Sequence, residues 1–457
     1  MAVRPPLIQP ELADARATEP AIPLGRPDAR AVLEICAAVL SLATITAGAM
    51  LLATGTTRYS HVFIPGSKLV FPHWMGGILG DLGPQLRPRQ FGPLMALMWV
   101  AYVGAYATCR RVPTKALVAL VLVVDLLITL GPPLMSADVF GYIGYARLGT
   151  VHSLNPYLHG IGSAPGDVIV KYSRWHHEVT PYGPLFTAFT YLLAPLGIVA
   201  CLWALKLTAL GSVLACSWLV WRLALTQGAD QRRALVFFAF NPLLLAYALG
   251  GAHNDLLLMA VVLGGLLAVA LQRSGASAAL MAAALGVKAT AMMFVPFAFV
   301  AAPDKRRFAA YGAGVLVLIA VFSLAAFGPG AAGAIAGQIV YQQKLVATGS
   351  IPMQLSLNSG YDHLAIGFRL IALAVPVFVF AAAMVYAWRS GRWLAGAGWT
   401  ALAVVLSTAW LTPWYALWVV PVAAAAASKR LVVATGLLTA YLILDYSILP
   451  FYMHVVR

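Results

Sequence analysis

Apolar runs approaching twenty residues, separated by short polar breaks, recur from about Ala31 almost to the end of the chain. A helix crosses the roughly 30 Å hydrocarbon core of a bilayer in about 20 residues. In lipid, every backbone N–H and C=O must find its partner within the segment or the bundle. The repetition therefore predicts one kind of architecture, an all-α polytopic membrane protein. Composition agrees, because only 10% of the 457 residues are charged, where a soluble domain holds about a quarter.

A net charge of +15 would suit a nucleic-acid binder, but the cations sit in the wrong places for one. Arg110 and Arg111, Arg232 and Arg233, Lys305 to Arg307, Arg389 and Arg392, and Lys429 and Arg430 all fill short breaks between apolar runs. That is the positive-inside pattern, which turns these breaks to the cytoplasm, where they face anionic headgroups. Four cysteines lie in or beside apolar runs without metal-ligand spacing. Residues 1–30 hold six prolines, four arginines and four acids, the composition of a disordered cytoplasmic tail. The remaining 31–457 are expected to form a single integral-membrane domain.

Threading the chain through a bilayer with basic breaks inside gives about eleven crossings. They lie near Ala31–Thr54, Gly92–Cys109, Lys115–Pro133, Leu202–Trp221, Arg233–Leu249, Asp255–Leu271, Phe308–Phe327, Phe368–Trp388, Trp393–Leu411, Pro413–Ala427 and Leu431–Leu449. Two stretches break the alternation. Gly183 to about Ala200 is expected to be a half-length segment entering from outside. Gly275–Ala302 is expected to be a short hairpin from the cytoplasmic side with Lys288 near its tip. Non-helical backbone at membrane depth is tolerated where protein or a water-filled cavity covers it, so the two breaks point to a cavity for a polar substrate. Outer loops fall at about 55–91, 134–182 and 328–363, and QIVYQQKLV in the last has the pattern of an interfacial helix.

Fifteen acids allow a census. Asp230 and Asp304 sit among cytoplasmic arginines and read as charge balance at helix ends. In SADVFGYIGYARLG, Asp138, Tyr142 and Tyr145 stand at i, i+4 and i+7, one face of a helix. A carboxylate at this depth beside aromatic rings can act as a general base; equally, Ser136 or Asp138 can simply cap the helix. In GGAHNDLLL, His253, Asn254 and Asp255 form a polar run between two spans, where ionisable groups are costly and usually functional. Imidazolium and amide N–H groups there would suit a phosphate, and a helix cap is the plainer account. Lys288 is either a snorkelling lysine or an anion contact. Tyr182 in TPYGP and Trp414-Tyr415 in TPWYALW are either interfacial anchors or platforms for a sugar ring. Adjacent His176 and His177 make poor tetrahedral ligands, and no metal site or other cofactor is assigned, although a bound cation is compatible with the sequence.

Taken in order, an outer-loop Asp followed by tyrosines and NPY, then PYGP, HND, a hairpin with VK and a late PWY resemble the GT-C class of membrane glycosyltransferases. In particular they resemble the actinobacterial polyprenyl-phosphate-mannose-dependent α-1,6-mannopyranosyltransferases of the MptA/MptB type, over about 133–421. The resemblance implies an inverting transfer of mannose from a polyprenyl-phosphate donor to a glycolipid or α-1,6-mannan acceptor, at the outer face of the plasma membrane. It implies Asp138 as general base and His253, Asn254, Asp255 and Tyr182 around the donor. Tyr142, Tyr145, Trp414 and Tyr415 would form sugar platforms, and Gln343 and Lys344 are added here as phosphate contacts. Many GT-C enzymes carry the catalytic Asp in the first outer loop, which keeps Asp81 as a rival, with Asp255. Arabinose or glucose donors fit the same mechanism. A secondary transporter or lipid flippase is the alternative of another class, although the paired repeats of a transporter are not visible.

Overall fold

The computed structural model describes residues 28–64, 73–80 and 82–452. The expected tail, apart from its last three residues, and the rival Asp81 lie outside them. Among the described residues every regular element is helical. The longer helices are α1 (Ala29–Gly55), α2 (Pro88–Thr108), α3 (Thr114–Leu130), α4 (Asp138–Thr150), α5 (Pro184–Leu193), α6 (Gly197–Thr226), α7 (Gln231–Ala239), α8 (Asp255–Ala270), α9 (Ser274–Val287), α10 (Lys305–Phe327), α11 (Gly330–Gln342), α12 (Ile366–Ser390), α13 (Trp393–Ser407) and α14 (Lys429–Ile443).

Among the described residues six helical stretches are long and apolar enough to cross a membrane: Ala29–Gly55, Pro88–Arg111, Pro184–Thr226, Lys305–Phe327, Ile366–Ser390 and Lys429–Ile448. Burial explains what surrounds them. In α10 only Phe308 and Phe327 are buried, and in α12 only Ala383 and Ala387. Helices apolar on every face, yet uncovered by protein, are solvated by lipid rather than water. The chain is a helical membrane protein.

The basic breaks work as helix starts. Asp230 accepts from the Arg233 amide at 3.0 Å and Asp304 from the Arg307 amide at 2.8 Å, so both acids read as charge balance are N-caps. Arg110 pairs with Asp230, and Arg111 with Glu34 at 2.7 Å, which ties the ends of α1, α2 and α7 together at this basic end.

Two expected crossings are interrupted. The stretch Arg233–Leu249 stops at Ala239 and resumes as a wide turn at Leu244–Leu249. Pro242 cannot donate to a continuing helix, and Asn241 Oδ1 accepts from the Leu243 amide at 3.1 Å. Pro413–Ala427 divides into a 3₁₀ turn, Pro413–Trp418, and a short helix, Val420–Ala425, with prolines near the start of each. Elsewhere the expected break at Lys288 is present: α9 ends there at φ −159°, ψ 135°, and a 3₁₀ turn, Ala289–Met293, follows. Because α9 packs antiparallel to α8 over about 21 Å, Lys288 reaches the level of Asp255.

The loop after α4 is held by a buried acid. Asp167 accepts from Arg147 Nε at 2.8 Å, from the Ile169 amide at 3.1 Å, and lies 2.7 Å from His152 Nε2. Burial alone would raise this carboxyl, but His152, the Ile169 amide and Arg147 outweigh it and hold it below its ordinary value. Its contribution is therefore complete above the unfolded pKa of about 3.9 and is lost as pH falls through the lower folded value. Asp167→Asn should cost about 1–3 kcal/mol at pH 7. In thermal melts of detergent-purified protein, the gap between wild type and variant should close on acidification below about pH 4. An unchanged gap would separate Asp167 from the fold's acid sensitivity.

Candidate active site

At the end of the bundle opposite the basic breaks, α4, the loop before α5, the break at Lys288, α11 and the 410–415 turn enclose a cleft. Asp138, Tyr145, Trp175, Glu178, Tyr182 and Lys288 line one part of it; Tyr341, Trp410, Trp414 and Tyr415 line another.

The N-cap of α4 is Ala137, which has no capping side chain, and the first amide of the helix, that of Asp138, donates to Ser136 Oγ at 3.1 Å. The Asp138 carboxylate is free to face the cleft. One oxygen accepts from Trp175 Nε1 at 3.3 Å, and the other lies 3.6 Å from His253 Nδ1. Helix α4 is not laid along the surface: Tyr142 and Tyr145 are both buried, and so is most of the helix. Tyr142 packs edge-on to Tyr182 and Phe186, at 5.0 and 5.1 Å between centroids, and does not line the cleft. Its hydroxyl receives the Asn254 amide at 3.2 Å and lies 3.4 Å from Asn254 Oδ1. Tyr145 lines the cleft and donates to the Glu178 carbonyl at 2.9 Å.

The HND run divides its labour. The ring of His253 stacks on Trp414, 4.1 Å between centroids and 22° between planes, and neither ring nitrogen has a hydrogen-bond partner among the described residues. Burial pushes this imidazole below its ordinary value, against the opposing pull of Asp138 and Asp255. Asp255 is fully buried and committed. Lys288 Nζ reaches its two oxygens at 2.8 and 2.9 Å, and Trp418 Nε1 donates to one of them at 2.8 Å. That leaves Asp255 no oxygen facing the cleft, against its candidacy as a base.

Lys288 does not snorkel. Its ammonium lies between Asp255 and the rings of Tyr415 and Trp418, 6.0 and 5.7 Å from their centroids, and it is the one cation among the described residues lining the cleft. Gln343 and Lys344 are exposed beyond the end of α11 and do not line it. Of the residues that do, Gln338, Tyr341 and Gln342 stand at the three- and four-residue spacing of one face of α11, and Leu345 follows just past its end. Tyr341 donates to Glu178 Oε1 at 3.1 Å, closing that side. Sequence reasoning assigns Trp175, Glu178, Trp410 and Trp418 no role at the cleft, although Trp418 closes the TPWYALW motif, Trp175 and Glu178 flank the His176-His177 pair, and Trp410 stands two residues before Thr412, a weak signal.

One glycine sets the spacing of the floor. The Gly183 amide donates to the Val287 carbonyl at 2.9 Å, and a Cβ on Gly183 would lie 2.2 Å from the Gly286 carbonyl oxygen. Tyr182 and Lys288 are neighbours because these two backbones touch. Gly183→Ala should lower stability by about 1–3 kcal/mol, the usual cost of overpacking, read as thermal unfolding in detergent; a neutral result would show that the two turns separate freely.

A helical membrane bundle with a polar cleft, carrying a carboxylate and a caged ammonium among aromatic rings, defines a polytopic membrane protein with a candidate active site at one membrane face. Residues 90–304 match the MptA/MptB family model, described as alpha-(1->6)-mannopyranosyltransferase, N-terminal domain. The alpha-(1->6)-mannopyranosyltransferase A of Mycobacterium tuberculosis is 29% identical over 339 residues, covering 67% of this chain and 64% of that protein. The protein of the same name from Corynebacterium glutamicum is 31% identical over 173 residues, 36% of this chain and 34% of its own length. The chain is thus similar to proteins of the MptA/MptB type, and it spans less than two thirds of the length of either. No solved structure matches it. The family match contains Asp138, Tyr182, His253 to Asp255 and Lys288, while Tyr341, Trp410 and Trp414 lie beyond it.

Proposed function

We propose that this protein is an inverting α-1,6-mannosyltransferase that moves mannose from a polyprenyl-phosphate donor to a glycolipid or mannan acceptor at the outer face of the plasma membrane. The observation that carries the reading is the cleft-facing carboxylate of Asp138 in a pocket whose lining cation is Lys288. In the reaction an acceptor hydroxyl oxygen attacks the anomeric carbon, and its proton passes to Asp138. The bond from that carbon to the phosphate oxygen breaks on the opposite face, and polyprenyl phosphate departs as the anion. A single displacement converts a β-linked donor to an α-linked product, through an oxocarbenium-like transition state.

Lys288 is suited to offset the charge that grows on the leaving phosphate, a role that replaces the one expected of Gln343 and Lys344. His253 and Asn254 each keep a buried side-chain nitrogen without a partner among the described residues, available to donor oxygens. Tyr145, Tyr182, Trp414 and Tyr415 offer ring faces or hydroxyls to the sugars. We take the chain to cross the bilayer about eleven times as one integral-membrane domain. The half-length α5 and the Lys288 hairpin supply the cleft floor from opposite sides, with basic ends in the cytoplasm.

The test is transfer of labelled mannose from polyprenyl-phosphate mannose to a short α-1,6-mannoside by the purified protein, with glucose and arabinose donors in parallel. A new α-1,6 linkage from the mannose donor is the expected product. Product only from another sugar would change the donor. No product from any donor, with donor instead moved across vesicles, would replace the enzyme by a transporter or flippase.

A further inference from the structure

A second cavity, of about 580 Å³, lies at the other end of the bundle. Arg392, Lys429 and Arg430 line it from the starts of α13 and α14, Tyr386 and Trp399 flank it, and Val379, Ala382 and Ala383 of α12 form its apolar side. Helix α13 runs from Trp393 beside this cavity to Ser407 near Trp410 of the cleft, about 22 Å at 1.5 Å per residue. The cavity therefore opens at the opposite membrane face, outside the machinery of sugar transfer.

Its charge is uncompensated. No acid lines it, and among the described residues no ion pair reaches Arg392, Lys429 or Arg430. Arg392 Nη2 instead donates to the Ala427 carbonyl at 2.9 Å, which fixes its guanidinium beside the start of α14. Ser428 caps that helix, its hydroxyl accepting the Leu431 amide at 3.4 Å, and so does not neutralise the site. Below the cations the α12 wall is small and apolar, and Val377, Phe378 and Val385 on the same helix are exposed to lipid. Three cations over a slot continuous with the lipid face, bordered by aromatic rings of the interfacial kind, fit an amphiphile with an anionic head.

We propose that this cavity binds an anionic phospholipid, its phosphate between Arg392, Lys429 and Arg430 and an acyl chain along Val379, Ala382 and Ala383. A basic pocket between membrane helices attracts acidic headgroups, each cation contributing about 1 kcal/mol. The site stands independently of the proposed transfer reaction.

The test is native mass spectrometry of the full chain released from detergent, titrated with phosphatidylglycerol, phosphatidylcholine or inorganic phosphate. Wild type should retain phosphatidylglycerol on the order of a hundredfold better than phosphatidylcholine, about 1 kcal/mol for each of the three cations. Lys429→Gln/Arg430→Gln, which spares the Arg392 tether, should lose roughly fivefold for each cation removed. Arg306→Gln/Arg307→Gln, on the same basic end but outside the cavity, should retain the lipid as wild type does. An unchanged preference in the first variant, or an equal loss in the second, would overturn the site in favour of diffuse surface charge. Absence of any preference in wild type would do the same. Displacement of the lipid by inorganic phosphate at matching concentrations would overturn the lipid assignment and leave a site for soluble phosphate.

Discussion

Asp138→Asn should abolish transfer while leaving the donor bound. Among the described residues the carboxylate accepts one hydrogen bond, from Trp175, and an amide can keep that contact through its carbonyl oxygen while losing the ability to take a proton. General-base catalysis contributes about 10²–10⁴-fold, so kcat should fall by at least two orders of magnitude, about 3 kcal/mol of barrier. Donor affinity should stay within a factor of a few, because Lys288 and the aromatic wall are untouched. The measurement is single-turnover transfer alongside equilibrium binding of the lipid donor. Turnover retained in the variant would move the base elsewhere, and Asp81 would then be the first position to substitute.

Lys288→Met should be the most damaging single change to the fold. Asp255 is fully buried, and the ammonium supplies two of its three side-chain contacts. Removing one partner of a buried pair leaves an uncompensated charge and costs about 3–5 kcal/mol. The double variant Lys288→Met/Asp255→Asn should recover much of that stability while remaining inactive. Thermal unfolding and the transfer assay thus separate the structural role of the pair from its role at the cleft. A double variant no more stable than Lys288→Met would show that Trp418 and the surrounding packing, rather than the charge pair, hold this turn.

Much of this arrangement was legible in the residues. Helical membrane class follows from hydropathy, because a bilayer sets segment length directly. The break at Lys288 was readable because basic flanks on both sides of one apolar stretch conflict with a single crossing. The interruptions at Asn241-Pro242 and within Pro413–Ala427 were harder. Proline marks a possible stop, but only neighbouring backbone decides whether the chain resumes in line. At the site, motif position located Asp138 and the HND run but not their partners. Asp255 looked like a free acid until α9 brought Lys288 beside it, 33 residues on in sequence. The helix face of α11 that turns inward goes with the Tyr341–Glu178 bond across 163 residues, which no local pattern reports; it brings Gln338 and Gln342 to the cleft rather than Gln343 and Lys344.

The backbone contact between Gly183 and Val287 makes the cleft floor a seam, sewn from two turns that belong to different parts of the chain. Length is then constrained unequally around the site. The loop of 328–363 can gain or lose residues at its exposed stretches and only alter the rim. One residue added at 181–184 or 286–289 would slide the aromatic wall past the caged ammonium by a full step of chain. Substrate range should therefore respond to changes in the rim, while the chemistry should tolerate no change in the register of the seam.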